Sequence, residues 1–325
     1  MAWEKLGLIH CLPESENRST THMQGPVALE MDGIIRIYYA ARNKNGKSYP
    51  SYIDVDAGNP LELINVHDEP IMHHGPVGTF DDEGNMPACA IRIDEEIWMY
   101  YSGWNRRVTV PYHNTTGIGV SLDGGSYFDR KFDGPVLERT PIEAYMAVTP
   151  YVIRDKASWK MWYVSGLGWQ EVEGKQEPVY VIKYASSVDG INWIRSGDTV
   201  IPQRDPLEAM ARPTVLLRNG VYHMWFSYRS SHDFRDGEGS YRIGYARSLD
   251  GVKWKREDSL AGVGVSPDGW DSRMVCYPYV LEVSGRLLMF YNGNSFGQSG
   301  IGCAAWNGSL PDRDGLQDLL VSDSV

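Results

Sequence analysis

No run of 18 or more apolar residues occurs in the 325-residue chain, so the sequence holds no candidate transmembrane helix. The opening segment, Met1-Ala2-Trp3-Glu4-Lys5, lacks the charged region and apolar stretch of a secretory signal, which sets the expectation of a cytoplasmic protein. Positive charge is in deficit: 31 Lys and Arg stand against 42 Asp and Glu, a formal net charge of −11. That balance argues against a general nucleic-acid binder and a polybasic membrane patch, so neither nucleic acid nor membrane is expected as a partner. Cysteine is scarce. Cys11, Cys89, Cys276 and Cys303 show no metal-ligand spacing and read as reduced, mostly buried thiols. His22, His73, His74, His113 and His232 make no metal motif either, so no metal is expected. No G-x-x-x-x-G-K-[ST] loop is present, serine-hydrolase chemistry is not expected, and no cofactor is signalled. Gly117-Ile118-Gly119 and Gly237-Glu238-Gly239 read as turn glycines, not as the start of a phosphate-binding helix.

The excess lies in aromatic residues and glycine: 11 Trp, 20 Tyr, 7 Phe and 34 Gly. Aromatic residues favour strands and glycine favours turns. The balance excludes disorder, a coiled coil and a helical bundle, and leaves enough apolar material for a large core.

The chain also repeats itself. Pro26, Pro87, Pro150, Pro213 and Pro278 lie 61, 63, 63 and 65 residues apart. Each introduces a short apolar strand, then a polar turn such as Asp32-Gly33, Asn219-Gly220 or Ser284-Gly285. An aromatic strand follows, as in Trp98-Met99-Tyr100-Tyr101 and Lys160-Met161-Trp162-Tyr163. After a longer loop a third strand leads, in the middle repeats, into Ser-x-Asp-Gly: Ser121–Gly124, Ser187–Gly190 and Ser248–Gly251. The aspartates there, Asp123, Asp189 and Asp250, read as turn residues. In two repeats a Trp, Trp193 or Trp254, opens a fourth strand. Repeats of about four strands with hairpin-type turns predict an all-β, five-bladed β-propeller. The 1–325 chain is then one domain, with blades at approximately 20–80, 81–142, 143–207, 208–266 and 267–310. Because Trp3-Glu4-Lys5-Leu6-Gly7 resembles Trp193-Ile194-Arg195-Ser196-Gly197, residues 3–9 are expected to supply the last blade's outer strand and close the ring.

On that topology, residues just before each proline and in the loops between second and third strands converge on one mouth, where function concentrates. Asp82, Glu143, Glu208 and Asp271 are the carboxylates expected to work as acid, base or nucleophile. His22, Gln24, Arg42, Asp81, Asn85, Trp104, Arg106, Tyr145, Trp169, Arg212, Arg229, His232, Arg273, Asn294 and Phe296 are the expected substrate contacts. Carboxylates transfer protons, amides and Arg hold hydroxyls, and aromatic faces stack on a pyranose. The number of arginines hints at an anionic sugar.

The repeat, with its Ser-x-Asp-Gly-x-x-Trp and Met/Trp-Tyr-Tyr-Ser-Gly stretches, resembles the five-bladed propeller glycosidase superfamily, which includes arabinanases and β-xylosidases, invertases and mannoside phosphorylases. The resemblance covers nearly the whole chain. It implies a carbohydrate-active enzyme, first of all a glycoside hydrolase using paired carboxylates. A glycoside phosphorylase or an enzyme of acidic or nucleotide-linked sugars is the second reading, and a non-catalytic glycan-binding propeller the third. The xylosidase-like members place a catalytic Asp directly before the first-blade proline. Here that position is Gly25, and Glu143 and Glu208 lie seven and five residues before their prolines, so no catalytic set carries over.

Overall fold

Each proline-marked repeat folds into an antiparallel meander. The structure, a computed structural model, describes residues 2–12, 20–67, 69–155 and 158–317. Strand β1 (Ala2–His10) precedes the first meander, β2 (Thr20–Met31), β3 (Ile34–Asn43), β4 (Ser48–Asp56) and β5 (Leu63–His67). The second holds β6 (Gly84–Ile93), β7 (Glu96–Arg106), β8 (Tyr112–Ser121) and β9 (Asp129–Arg130). The third holds β10 (Ala147–Asp155), β11 (Ser158–Val172), β12 (Lys175–Ser187) and β13 (Ile194–Thr199). The fourth holds β14 (Ala209–Arg218), β15 (Val221–Arg229), β16 (Arg242–Ser248) and β17 (Lys255–Arg256). The last runs through β18 (Cys276–Val283), β19 (Arg286–Asn292) and β20 (Ile301–Asn307). By hydrogen bonding these form three four-stranded sheets and one eight-stranded sheet, the latter joining the first two meanders through a single parallel bridge, Ser48 to Gly84. Strand β1 pairs antiparallel with β20, Trp3 opposite Trp306 and Lys5 opposite Ala304.

Local chemistry explains the elements. Asp32-Gly33, Glu173-Gly174, Asn219-Gly220 and Ser284-Gly285 all have both residues at positive φ, as two-residue hairpin turns of matching twist require. The Ser-x-Asp-Gly stretches are turns, as expected. In each, the Ser hydroxyl donates to the Asp carboxylate (2.6, 2.9 and 3.0 Å), and that carboxylate accepts backbone N–H groups ahead of it. Those bonds hold the Asp189 carboxyl well below its ordinary range.

The core lies between neighbouring meanders. Trp98 of the second stacks on Trp159 of the third at 5.9 Å, Trp162 of the third meets Tyr222 of the fourth, and Trp225 of the fourth meets Trp3. Gly117 and Gly119 belong to strand β8, which corrects their reading as turn glycines. Tyr101 lies opposite Gly117, where a Cβ would come 2.5 Å from its ring. A missing side chain there makes room for a buried tyrosine. Cys89, Cys276 and Cys303 are buried thiols, and burial pushes Cys89 up to about 11.

The first strand of every meander slips register at its proline: between Gln24 and Val27, Pro87 and Cys89, Val148 and Tyr151, Ala211 and Thr214, and Cys276 and Tyr279. The residue directly before the proline has positive φ in four of the five, Gly25, Thr149, Arg212 and Tyr277. A bulge of this kind re-aims a side chain out of the sheet. For a β-branched or bulky residue the left-handed region is strained, and such strain collects at functional sites.

Candidate functional site

The re-aimed residues meet in a cavity of about 280 Å³ to which every meander contributes. The pre-proline residues Met86, Thr149, Arg212 and Tyr277 line it. So do Ser48, Asn114, Tyr180 and Tyr241 from or beside the third strands, with Gln24, Arg42, Trp104 and Tyr112. Met146, Val148, Val164 and Ala211 give it an apolar wall. The size falls just under the ~300–1,000 Å³ of drug-sized ligand pockets, and the mixture of aromatic surface with a few polar groups is the usual one.

Its electrostatics are one-sided. Among the described residues, the lining holds Arg42 and Arg212 and no Asp, Glu, Lys or His. Arg212 is 7% exposed, and its one hydrogen bond among the described residues is a long one, from Nη1 to the Gly25 carbonyl at 3.4 Å. Burial lowers its pKa to about 10, which leaves it charged at neutral pH. Arg42 donates to the Gln24 side-chain carbonyl at 2.8 Å, and the Gln24 amide reaches the Tyr277 hydroxyl at 3.4 Å. The Tyr180 and Tyr241 hydroxyls are hydrogen-bonded to each other. Behind them Arg229 donates to Tyr241 at 3.3 Å and to the Pro178 carbonyl at 3.0 Å, with its guanidinium 3.9 Å over the Phe234 ring.

Of the residues expected from sequence, the cavity brings together Gln24, Arg42, Trp104 and Arg212. The four carboxylates lie outside its lining. Glu143 is buried and accepts from Tyr163 (2.8 Å) and Ser165 (2.8 Å), with Lys183 and Arg195 at 3.4 and 3.0 Å. Asp271 accepts from Lys5 and Tyr291, and Asp81 accepts from Tyr101 at 2.9 Å with Arg130 at 3.7 Å. Burial and the adjacent carboxylate keep the Tyr101, Tyr163 and Tyr291 phenols protonated far above their ordinary range. Glu208 borders a separate hollow with Arg229 and Arg242 and is gripped bidentately by Arg256 at 2.7 Å through each oxygen. Asp82, half-buried, accepts from the Gly78 N–H at 2.8 Å.

Several expected contacts lie outside this lining. Arg106 pairs with Glu83 at 3.2 Å, Asn85 donates to the His73 carbonyl, and Asn294 caps the backbone N–H groups of Arg273 and Met274. His232 and Arg273 are exposed, and Tyr145 is 40% exposed. Trp169 packs edge-on against Tyr112, and Phe296 against Phe234 and Tyr241. His22 stands beside Thr21, and burial with the nearby Arg42 lowers its pKa to about 4. Met86, Thr149, Tyr277, Tyr180 and Tyr241 escape the sequence reading. For the first three the signal was present, since each directly precedes a repeat proline.

Serine chemistry, not expected, meets one G-x-S-x-G stretch, Gly293–Gly297. Ser295 has φ 55, and its hydroxyl donates to Asp236 at 2.6 Å. It has no histidine partner among the described residues, so the triad geometry is missing. Among those residues, no group of three His, Cys, Asp or Glu is placed to hold a metal ion.

No family model matches the chain. The uncharacterized protein Rv1502 of Mycobacterium tuberculosis (strain ATCC 25618 / H37Rv) is 36% identical over 306 residues, covering 94% of this chain and 99% of its own. Its counterpart MT1551 of strain CDC 1551 / Oshkosh matches to the same extent. Among solved structures, one described as a glycoside hydrolase has a TM-score of 0.72 at 16% identity over 97% of this chain and 95% of that one. A glycosyl hydrolase from Bacteroides ovatus gives 0.67 at 14% identity, covering 90% of this chain and 86% of its own. A structure described under "The GH130 family of mannoside phosphorylases contains glycoside hydrolases that target beta-1,2 mannosidic linkages in Candida mannan" gives 0.67 at 14%, covering 95% of each chain. At these identities the likeness carries the fold alone, an all-β fold shared with structures described as glycoside hydrolases.

Proposed function

The chain belongs to the family of these two mycobacterial proteins, and from its cavity we propose that it is a carbohydrate-active propeller protein acting on a sugar that bears an anionic group. The observation that carries this reading is Arg212, a buried guanidinium facing the cavity with no carboxylate partner among the described residues. A buried charge is costly unless something pairs it, and a bound anion does so. Trp104, Tyr112 and Tyr180 supply faces for a pyranose, and Gln24 and Asn114 supply amides for its hydroxyls. The shared fold with described glycoside hydrolases supports the carbohydrate class by analogy.

The same proposal takes the meanders as five blades of one domain, closed by β1. Contacts between neighbours support it: Thr149 N–H to Ser102, Tyr277 N–H to Ser227, and Gly25 N–H to Asn292, the last joining the first meander to the final one at 2.6 Å. We assign Asp81, Glu143, Glu208 and Asp271 to holding strands together, because their oxygens are already engaged by Tyr, Arg or Lys. A cytoplasmic setting accords with the four free cysteines.

The experiment is a glycan array of neutral and acidic sugars, probed with the wild-type protein and Arg212→Met, followed by turnover assays with and without phosphate. Retention of acidic sugars that is lost in Arg212→Met supports the reading. Equal retention of neutral sugars by both proteins overturns it. The turnover arm separates hydrolysis by carboxylate acid and base, phosphorolysis, and binding alone.

A further inference from the structure

Five residues stand directly before the repeat prolines, and four of them, Met86, Thr149, Arg212 and Tyr277, put a side chain into the cavity. The fifth, Gly25, has none, and its space is taken. A Cβ on Gly25 would lie 2.1 Å from Arg212 Nη2 and 2.4 Å from Cζ. Gly25 also has φ +68, so a larger residue is both strained and in collision with the guanidinium. Arg212 therefore packs against the Gly25 backbone and lies 5.7 Å from the Tyr277 ring centre, with most of its fork making no hydrogen bond among the described residues. Arg42 reaches the same region through Gln24, which also touches Tyr277.

Resting on the reading of an anionic sugar, we infer that Arg212 and Arg42 form the seat of a phosphate monoester on a sugar, and that Gly25 is the residue that makes the seat possible. Charge decides between anions. Among the described residues the lining carries two guanidinium groups and no carboxylate, so it matches a dianion. A phosphate monoester carries about −1.5 to −2 at pH 7, with three acceptor oxygens, whereas a uronate carries about −1. The guanidinium fork suits paired phosphate oxygens. With Gly25 in place of a side chain, the negative charge of this site comes from the ligand.

The test uses the full chain at pH 7.5 and titration calorimetry with glucose 1-phosphate, inorganic phosphate, glucuronate and glucose. The expected result is that glucose 1-phosphate binds at least about tenfold more tightly than glucuronate. Arg212→Lys, which keeps the charge and loses the fork, weakens it about tenfold or more, and Arg212→Met abolishes it. Gly25→Ala, whose methyl must displace Arg212, weakens it as well, with far-UV circular dichroism reporting that all three variants fold. Affinity also falls from pH 7.5 to pH 5, as the phosphate (second pKa about 6) gains a proton. Glucuronate binding as tightly as glucose 1-phosphate overturns the phosphate seat and leaves the anionic-sugar reading standing. Inorganic phosphate binding as tightly as glucose 1-phosphate overturns the assignment to a sugar-borne phosphate. Undiminished binding in folded Gly25→Ala overturns the role of Gly25. Glucose alone binding, or no probe binding, overturns both readings.

Discussion

Lys5 Nζ lies 2.6 Å from Asp271 Oδ2, so the first strand of the chain is fastened to the carboxylate that also accepts the Tyr291 hydroxyl at 3.0 Å. The same carboxylate–tyrosine pairing joins Asp81 to Tyr101 and Glu143 to Tyr163. In the fourth meander Phe226 takes the corresponding place, and Arg256 holds Glu208 instead. Three of these units set a buried acid against a phenol, with a cation drawn from elsewhere in the chain.

The Lys5 contact makes β1 a structural strand. Lys5→Met leaves Asp271 buried without its cation and lowers stability by about 1–3 kcal/mol. Deleting residues 1–10 also exposes the β20 edge and lowers the melting temperature further, as calorimetry would record. An unchanged transition in the deletion would remove β1 from the closure of the fold.

Glu143 is the sharper test of the acids. Glu143→Ala strands Lys183 and Arg195 as unpaired charges in a nearly dry site, at a cost of about 3–5 kcal/mol in urea unfolding. Glu143→Gln keeps the hydrogen bonds and costs less. A Glu143→Gln protein with wild-type stability and no turnover would return this residue to an acid/base role.

Arg212 reverses the usual direction of a mutation. Because no carboxylate among the described residues pairs its charge, and the Tyr277 ring 5.7 Å away offsets little of it, Arg212→Met raises the unliganded stability by roughly 1 kcal/mol while it removes ligand binding. A lowered unfolding midpoint in the absence of ligand would show that the guanidinium already has a stabilising partner.

His223 fixes one acid limb of the stability profile. It is buried with Nδ1 2.6 Å from the Tyr245 hydroxyl, and burial, then Arg247 and Arg218, lowers its pKa to about 4. In the unfolded chain it returns to about 6.5. Between those values the unfolded state binds the extra proton, so stability is full above about pH 6.5 and falls as pH drops toward 4. His223→Gln flattens that slope in urea midpoints taken at pH 7.5, 5.5 and 4.5. An unchanged slope would assign the acid limb to other groups.

Much of the strand and turn pattern was legible in the residues alone. Asn219-Gly220 and Ser284-Gly285 announce hairpins because only certain residues tolerate positive φ at both positions. The aromatic run Trp98–Tyr101 announces a buried strand, and Ser187-Val188-Asp189-Gly190 announces its turn. The site was legible only in part. Gln24, Arg42, Trp104 and Arg212 reach the cavity, whereas Glu143 and Asp271, each seven residues before its proline, face cations within and between the sheets.

The sequence by itself determined the period, the strands and the hairpins, because those follow from φ preference and alternating burial over a few neighbouring residues. Tertiary structure decided the site. A register slip at each proline turned Thr149, Arg212 and Tyr277 inward, and the partners that engage the acids come from distant strands, Lys5 reaching Asp271 across 266 positions. Whether a carboxylate is free for chemistry or spent on a cation depends on which side chains fold against it, and no local pattern encodes that.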